Sequence, residues 1–358
     1  MRTRTLAAAA TLTLGFALLT PGAAQAASCG TATFLPDLGH GSGAISFHGS
    51  NVVGYVVDSL GNDQPAVWRN GHLQTITEPA MDSGQAVDIN SHGDIVGTTD
   101  TWSWVLTASG HFIVLKDSDG DTQGTYARRI NDRGQISGTA DNWNSAAIWD
   151  TPYTTPRLLA PPPGNQYGYA PGLNDLGTSA GSSSAPSGAP QANLWDPTGH
   201  VHGLDSGFGP GQPADLFQIN DRGQSAGESY LNGTNGPAAD EATVWFPSGV
   251  AHLLGYLPGD NQSTVFGLSN RGYASGVSLG WDYTQQTQTS SGYHAFVWPG
   301  RGPMLALQVP GSSYSHSESN AKQIDDDGTA VGWGGPIGGT DRAIVWQCAF
   351  SQTLTSVD

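Results

Sequence analysis

Short runs of alternating apolar and polar residues, cut by glycine-containing turns, recur along almost the whole chain. Seven times an aliphatic residue is followed four positions later by glycine: Ile45/Gly49, Ile89/Gly93, Ile130/Gly134, Leu173/Gly177, Ile219/Gly223, Leu268/Gly272 and Ile324/Gly328. Downstream of each pair, a segment of small, any and aliphatic residues closes at Trp68, Leu106, Trp149, Trp195, Trp245, Trp298 or Trp346, with leucine standing in once. The closing residues recur every 38 to 53 positions. A unit of that size cannot bury an apolar face alone, so the units must stack into one object.

One copy, INDRGQISGTADNWNSAAIWD from Ile130, shows the predicted elements. A strand ends at Ile130, and Asn131-Asp132-Arg133-Gly134 makes a tight turn in which Asn bonds local backbone and Gly takes positive φ. The residue after the aliphatic one is Ser46, Asn90, Asn131, Asn174, Asn220, Ser269 or Asp325, each able to make that local bond. A second strand is expected to stop at a further glycine: Gly54, Gly97, Gly138, Gly181, Gly227, Gly276 or Gly332. Six copies keep eight residues between aliphatic residue and glycine, and the first has one more. A variable loop, the Trp-closed third strand and a short fourth strand such as Val250-Ala251-His252-Leu253-Leu254 complete the unit. Four antiparallel strands per unit predict an all-β, seven-bladed propeller. Thr31-Ala32-Thr33-Phe34-Leu35 reads as a fourth strand that precedes the first turn, so it is expected to complete the last blade and close the ring.

The stretch Tyr293-His294-Ala295-Phe296-Val297-Trp298, together with the INDRG-type turns, resembles the HAF repeat family of extracellular proteins, over about residues 31 to 350. The His-Ala-Phe triplet survives once, at His294-Ala295-Phe296. The resemblance implies secretion and a propeller; it implies no established activity and carries over no catalytic residue.

The N-terminus reads as an export signal over residues 1–27. Arg2 and Arg4 precede an apolar run from Leu6 to Leu19 and small residues around Ala24-Gln25-Ala26. Residues 28–358 then form the propeller domain. Losing two of the 13 basic residues leaves 11 against 30 acidic ones, a formal charge of −19. That charge argues against nucleic acid and anionic membranes; the N-terminal apolar run is too short to span a bilayer and no other stretch approaches that length. A secreted, extracellular monomer is expected. Cys29 and Cys348 are the two cysteines, and export makes a disulfide between them the expectation. It would lock the ring's seam, worth on the order of 5 kcal/mol in the chain-entropy picture.

Repetition assigns the turns, the tryptophans and four histidines (His72, His111, His200, His252) to scaffold. Function is therefore sought in the loops joining second to third strands and blade to blade, which vary and share one face. Their aromatics and acids suit a glycan or a protein partner. The candidate ligand contacts are Trp102, Trp143, Glu241, Trp281, Tyr283, Tyr293, His294, Trp333, Asp341 and Arg342. Several belong to a position opening the third strand that differs in every copy: Gln64, Trp102, Ser145, Gln191, Glu241, His294 and Arg342.

Catalytic alternatives are weaker. Asp141, Glu228, Glu241 and Asp341 offer carboxylates for a glycoside hydrolase. Tyr314, His316, His294 and Arg342 offer a lyase-like set. A structural envelope protein is the third alternative. No cofactor is implied. Asp117-Ser118-Asp119-Gly120-Asp121 opens like a calcium loop, but Thr122 and Arg128 stand where glycine and a bidentate glutamate belong.

Overall fold

The computed structural model describes residues 31–78, 81–186, 188–231, 239–282 and 287–354. The segment read as an export signal, Cys29 and Tyr283 lie outside the described residues. The described chain forms seven four-stranded antiparallel sheets arranged as the blades of a propeller. Their innermost strands are Ser42–His48, Gln85–Ile89, Tyr126–Ile130, Tyr167–Leu173, Ala214–Ile219, Gln262–Leu268 and Ser317–Ile324. Thr33–Phe34 pairs with Arg342–Trp346 as the outermost strand of the seventh blade, so the ring closes with the N-terminal strand in the last blade, as expected. No helix among the described residues is long and apolar enough to cross a membrane.

The core lies between blades rather than within them. Val96, Val105 and Leu115 of the second blade pack with Ala127, Ile136, Ala147 and Trp149 of the third. All seven residues are at most 1% exposed, which is why a single blade has no stable existence. The closing tryptophans also carry a polar link. The indole N–H of Trp149 donates to Lys116 O at 2.7 Å, Trp195 to Ala160 O at 2.9 Å and Trp245 to Asp205 O at 2.7 Å. Each acceptor lies just past the outer strand of the preceding blade. Leu106 holds the tryptophan slot in the second blade, opposite Ile95, while Trp104 two residues earlier fills the interior.

The INDRG turn proves to be an inter-blade latch as well as a local turn. Asn131 Oδ1 accepts from Arg133 N and Gln135 N, at 3.0 and 2.9 Å. Its Nδ2 donates to Asn174 O of the next blade at 3.0 Å. Asp132 N donates in turn to Asp175 Oδ1 of that blade at 2.8 Å. The same two bonds join Asn174 and Asp175 to Asn220 and Asp221. One turn type is thus copied around the ring because each copy satisfies the buried polar groups of its neighbour.

Two expectations are corrected. The second glycine of each repeat lies inside its strand, not at its end: Gly138 sits in the middle of Ile136–Ala140. The innermost strand opposite carries a β-bulge in every blade. A Cβ on any of these seven glycines would lie closer than 3.0 Å to a carbonyl oxygen of that bulged strand. The first copy is also shifted. Phe47, 8% exposed, fills the aliphatic slot, and Ile45 is the bulge residue. Its hairpin turns through Gly49-Ser50 alone, a tighter turn that sequence spacing hid.

Gly138→Ala should therefore cost more than about 3 kcal/mol, because backbone cannot give way as a side chain does. Gly134→Ala, in the turn at φ 76° with open space around it, should cost about 1–2 kcal/mol from the left-handed conformation alone. Urea unfolding of the two variants checks the order; equal losses would contradict the bulge contact.

Candidate functional site

The two faces of the ring differ in chemistry. On the face of the short turns, the channel mouth is rimmed by Asp132, Asp175, Asp221 and Asp326. On the variable face a cleft of about 750 Å³ opens beside the channel over the first four blades. Asn62 and Asp63 come from the first blade's loop, Gln85 from the start of the second blade, and Thr98 and Asp100 from its loop. Tyr126, Thr139 and Trp143 come from the third blade and Tyr169 from the fourth. Two carboxylates, amides, hydroxyls and three aromatic rings thus surround one space, with no basic side chain among the lining residues.

Of the three aromatic rings lining the cleft, Trp143 is the most exposed. Its side chain is 54% exposed, and Asp141, Asn142 and Trp143 hold consecutive left-handed conformations, at φ 55°, 54° and 68°. Such backbone persists where surrounding bonds enforce it, and it concentrates at ligand sites. Here the enforcing group is Asp117, whose Oδ1 accepts from Asp141 N at 2.8 Å and Ser118 N at 2.7 Å. Ser118 Oγ also donates to Asp141 Oδ1. The acidic run that opened like a calcium loop is thus the brace of the Trp143 loop. Among the described residues no group of three His, Cys, Asp or Glu side chains gathers as metal ligands would.

The other candidates fall into different surroundings. Trp102 packs on the core between the first and second blades, its ring edge-on to Phe112 at 6.3 Å. Glu241 accepts from Gly255 N at 2.8 Å, tying down a blade-to-blade loop. His294, 2% exposed, holds Asp260 at 3.0 Å and stacks on Tyr314 at 3.8 Å. Arg342 pairs with Asp37 at 2.9 Å and covers the Phe34 ring, at the seam. The varied position that opens the third strands thus mostly binds inward to neighbouring loops: Gln64 reaches Asp82 O and Gln191 reaches Asn165 in the same manner. Tyr293 and Trp333 meet edge to face, centroids 6.2 Å apart, between the sixth and seventh blades. Near them burial, with Glu318 adding to it, pushes Asp341 up to about 6. Trp281 is half-buried, its backbone tied on both sides to the Asn261 amide at 2.8 and 2.9 Å. Of the nine candidates among the described residues, Trp143 alone lines the large cleft.

Of the four carboxylates weighed for catalysis, Glu228 alone bonds through a shared group to a second acid. The Tyr230 hydroxyl lies 2.8 Å from Asp215 Oδ2 and 2.5 Å from Glu228 Oε1. One phenolic proton cannot serve two ionised carboxylates, so the arrangement favours a further proton on one of the two acids. Burial accordingly pushes Glu228 up to about 7, against the bonds from Thr264 and Tyr230 that favour its charge. Of the lyase-like set His294 and Tyr314 stack together, but His316 bonds Ser313 and Ser315 and Arg342 stays with Asp37, so the four do not converge.

Residues that sequence reasoning missed lie on the innermost strands. Each blade's bulge residue stands two positions before its aliphatic slot, giving Ile45, Val87, Arg128, Pro171, Phe217, Phe266 and Lys322. All seven line one cavity of about 190 Å³ in the axial channel. That offset was readable in the repeat once the aliphatic slot of the first blade was set at Phe47.

No protein-family model matches the chain, and no curated protein matches it. Solved structures of similar fold include YCF48 bound to D1 peptide, at 14% identity and TM-score 0.51, covering 91% of this chain and 96% of that one. A streptogramin B lyase aligns at 12% identity and TM-score 0.50, covering 87% and 94%. A puromycin hydrolase aligns at 13% identity and TM-score 0.53 over 88% of this chain, which spans only 53% of that longer protein. At these identities the likeness is one of fold.

Glu228 makes stability depend on pH with a definite sign. Its value in the folded chain lies above the ordinary carboxyl value, so its contribution is full below about 4.5 and is lost as pH rises through about 7. Chemical denaturation should show stability falling by on the order of 2 kcal/mol between pH 5 and 8. Glu228→Gln should remove most of that fall. An unchanged slope in the variant would place the proton elsewhere.

Proposed function

We propose that this chain is a secreted carbohydrate-binding propeller whose ligand lies in the variable-face cleft, against Trp143. The observation that carries this reading is the exposed indole on an enforced left-handed loop, facing a space lined by Tyr126, Tyr169, amides, hydroxyls and carboxylates. An exposed aromatic face supplies apolar area for the C–H face of a sugar at low entropic cost. The surrounding acceptors and donors suit a molecule rich in hydroxyls, and a space of about 750 Å³ takes several sugar rings. The rigid ring with variable loops supports a binding role generally, and YCF48, solved bound to D1 peptide, has a similar fold. A peptide would also find aromatic anchors here, but a cleft so rich in side-chain hydroxyls and amides favours a saccharide.

The remaining parts of the reading follow the sequence. The N-terminal segment exports the chain, Cys29 pairs with Cys348 across the seam, and the chain belongs among the extracellular HAF repeat proteins and acts as a monomer. Glycan-array screening followed by calorimetric titration should find an oligosaccharide ligand. Trp143→Ala should weaken it at least about tenfold, or 1.4 kcal/mol, with an unchanged melting temperature. Absence of any saccharide ligand, or full affinity in the variant, would sink this reading.

A further inference from the structure

The axial channel holds charge of a sign that the rest of the molecule avoids. The chain has 13 basic residues against 30 acidic ones and only two lysines. Yet Arg128, Arg129 and Lys322 all line the same cavity of about 190 Å³. Among the described residues the ion pairs are His294–Asp260 and Arg342–Asp37, so none of these three cations has a carboxylate within pairing distance. Asp88 attracts Arg129 from the second blade, but its oxygens accept from Ser46 Oγ at 2.6 Å and Ile130 N at 2.9 Å. Arg129 Nε, buried, has no hydrogen-bond partner.

Arg128 and Lys322 are satisfied only by neutral groups. Arg128 donates to the Tyr126 hydroxyl at 3.2 Å and lies over its ring, and Lys322 Nζ sits 3.9 Å above the Phe266 ring. Burial, and then the charge of Arg128, press Lys322 down to about 8. Cations buried together without counter-charge cost stability, and an arriving anion relieves that cost.

The cavity adjoins the cleft. Gln85 and Tyr169 line both spaces, and Tyr126 lines the cleft while bonding Arg128. Along the strand Tyr126–Ile130, Tyr126 stands at the variable face and Arg128 two residues deeper. The opposite mouth is lined by Asp132, Asp175, Asp221 and Asp326 together with Arg129, a net negative ring that disfavours anions. At about 190 Å³ the cavity is below the roughly 300 Å³ of ordinary ligand pockets, so it takes a substituent of a larger ligand held in the cleft.

We propose that the saccharide bound in the cleft is anionic, and that Arg128 and Lys322 hold its carboxylate or sulfate oxygens in the axial channel. This rests on the cleft being the glycan site. Recognition is by charge-assisted hydrogen bonds from the guanidinium and ammonium groups, and the selectivity comes from desolvated cations that a neutral sugar leaves unpaired.

Calorimetric titration with oligosaccharides matched in length and linkage, one neutral and one bearing uronate or sulfate, tests this on the full chain. Wild-type protein should bind at least one charged chain tenfold or more tighter than its neutral match, and the uronate and sulfate arms tell which oxyanion is preferred. Lys322→Met and Arg128→Met should each reduce that charged-over-neutral preference at least about fivefold. Thermal melting verifies that both variants fold, and Lys322→Met should melt no lower than wild type because it removes an unpaired buried charge. Equal affinity for neutral and charged chains, or a preference that survives both substitutions, would overturn the channel assignment while leaving the cleft as a glycan site. No binding of any saccharide would overturn both.

Discussion

A contact between two stretches of backbone sets the geometry of this molecule. In each blade, the mid-strand glycine of the second strand faces a carbonyl of the innermost strand at a distance no Cβ could tolerate. That close approach accompanies the bulge beside it, and the bulge turns one residue per blade toward the axis. Ala44, Ala86, Ala127, Leu216, Val265 and Ala321 stand opposite their glycines in register, immediately before the bulge. Small and apolar residues there leave the blade interface flat enough to pack. The channel ring is therefore built by backbone geometry, and its seven side chains are free to differ without disturbing the blades.

The polar latch at the other end of the innermost strand works with this contact. Asparagine closes its own turn and bonds the next blade, while the following aspartate receives a backbone N–H from the blade before. Satisfying buried amides in this way fixes the angle between blades. It also concentrates carboxylates on one mouth of the channel. The acidic rim is thus a by-product of the scaffold, and it gives the axis a direction: negative at the turn face, cationic within, aromatic and hydroxylated at the variable face.

The fold was legible because it is repeated, and repetition multiplies a weak signal seven times. Blade number, the Trp-closed strand, the leucine substitution at Leu106 and the closing strand Thr33–Phe34 all follow from spacing. The first blade misled because Ile45 mimics the aliphatic slot, although the tighter hairpin moves that slot to Phe47. Trp143 was legible as a residue that breaks the repeat in a loop. Glu241, His294 and Arg342 broke it equally well, but sequence does not show that Gly255, Asp260 and Asp37 lie waiting as partners. Arg128 and Lys322 were hidden for the opposite reason. They sit within strands, where variation reads as tolerance, and their meaning emerges only when the bulges place them around one axis.

Arg128 and Lys322 also show where stability and function pull apart. Five of the seven channel positions are apolar or proline, a ring that would fill the axis with no electrostatic cost. Replacing two of them with cations, in a chain that uses lysine twice, works against folding. The acidic rim a few residues away does not neutralise them, because its aspartates are committed to backbone amides at the opposite mouth. A scaffold whose latch turns are matched to the next blade, copy after copy, leaves these two cations without a carboxylate partner beside the ligand cleft. Local conflict of that kind, set in an otherwise consistent fold, is where a binding function is to be sought.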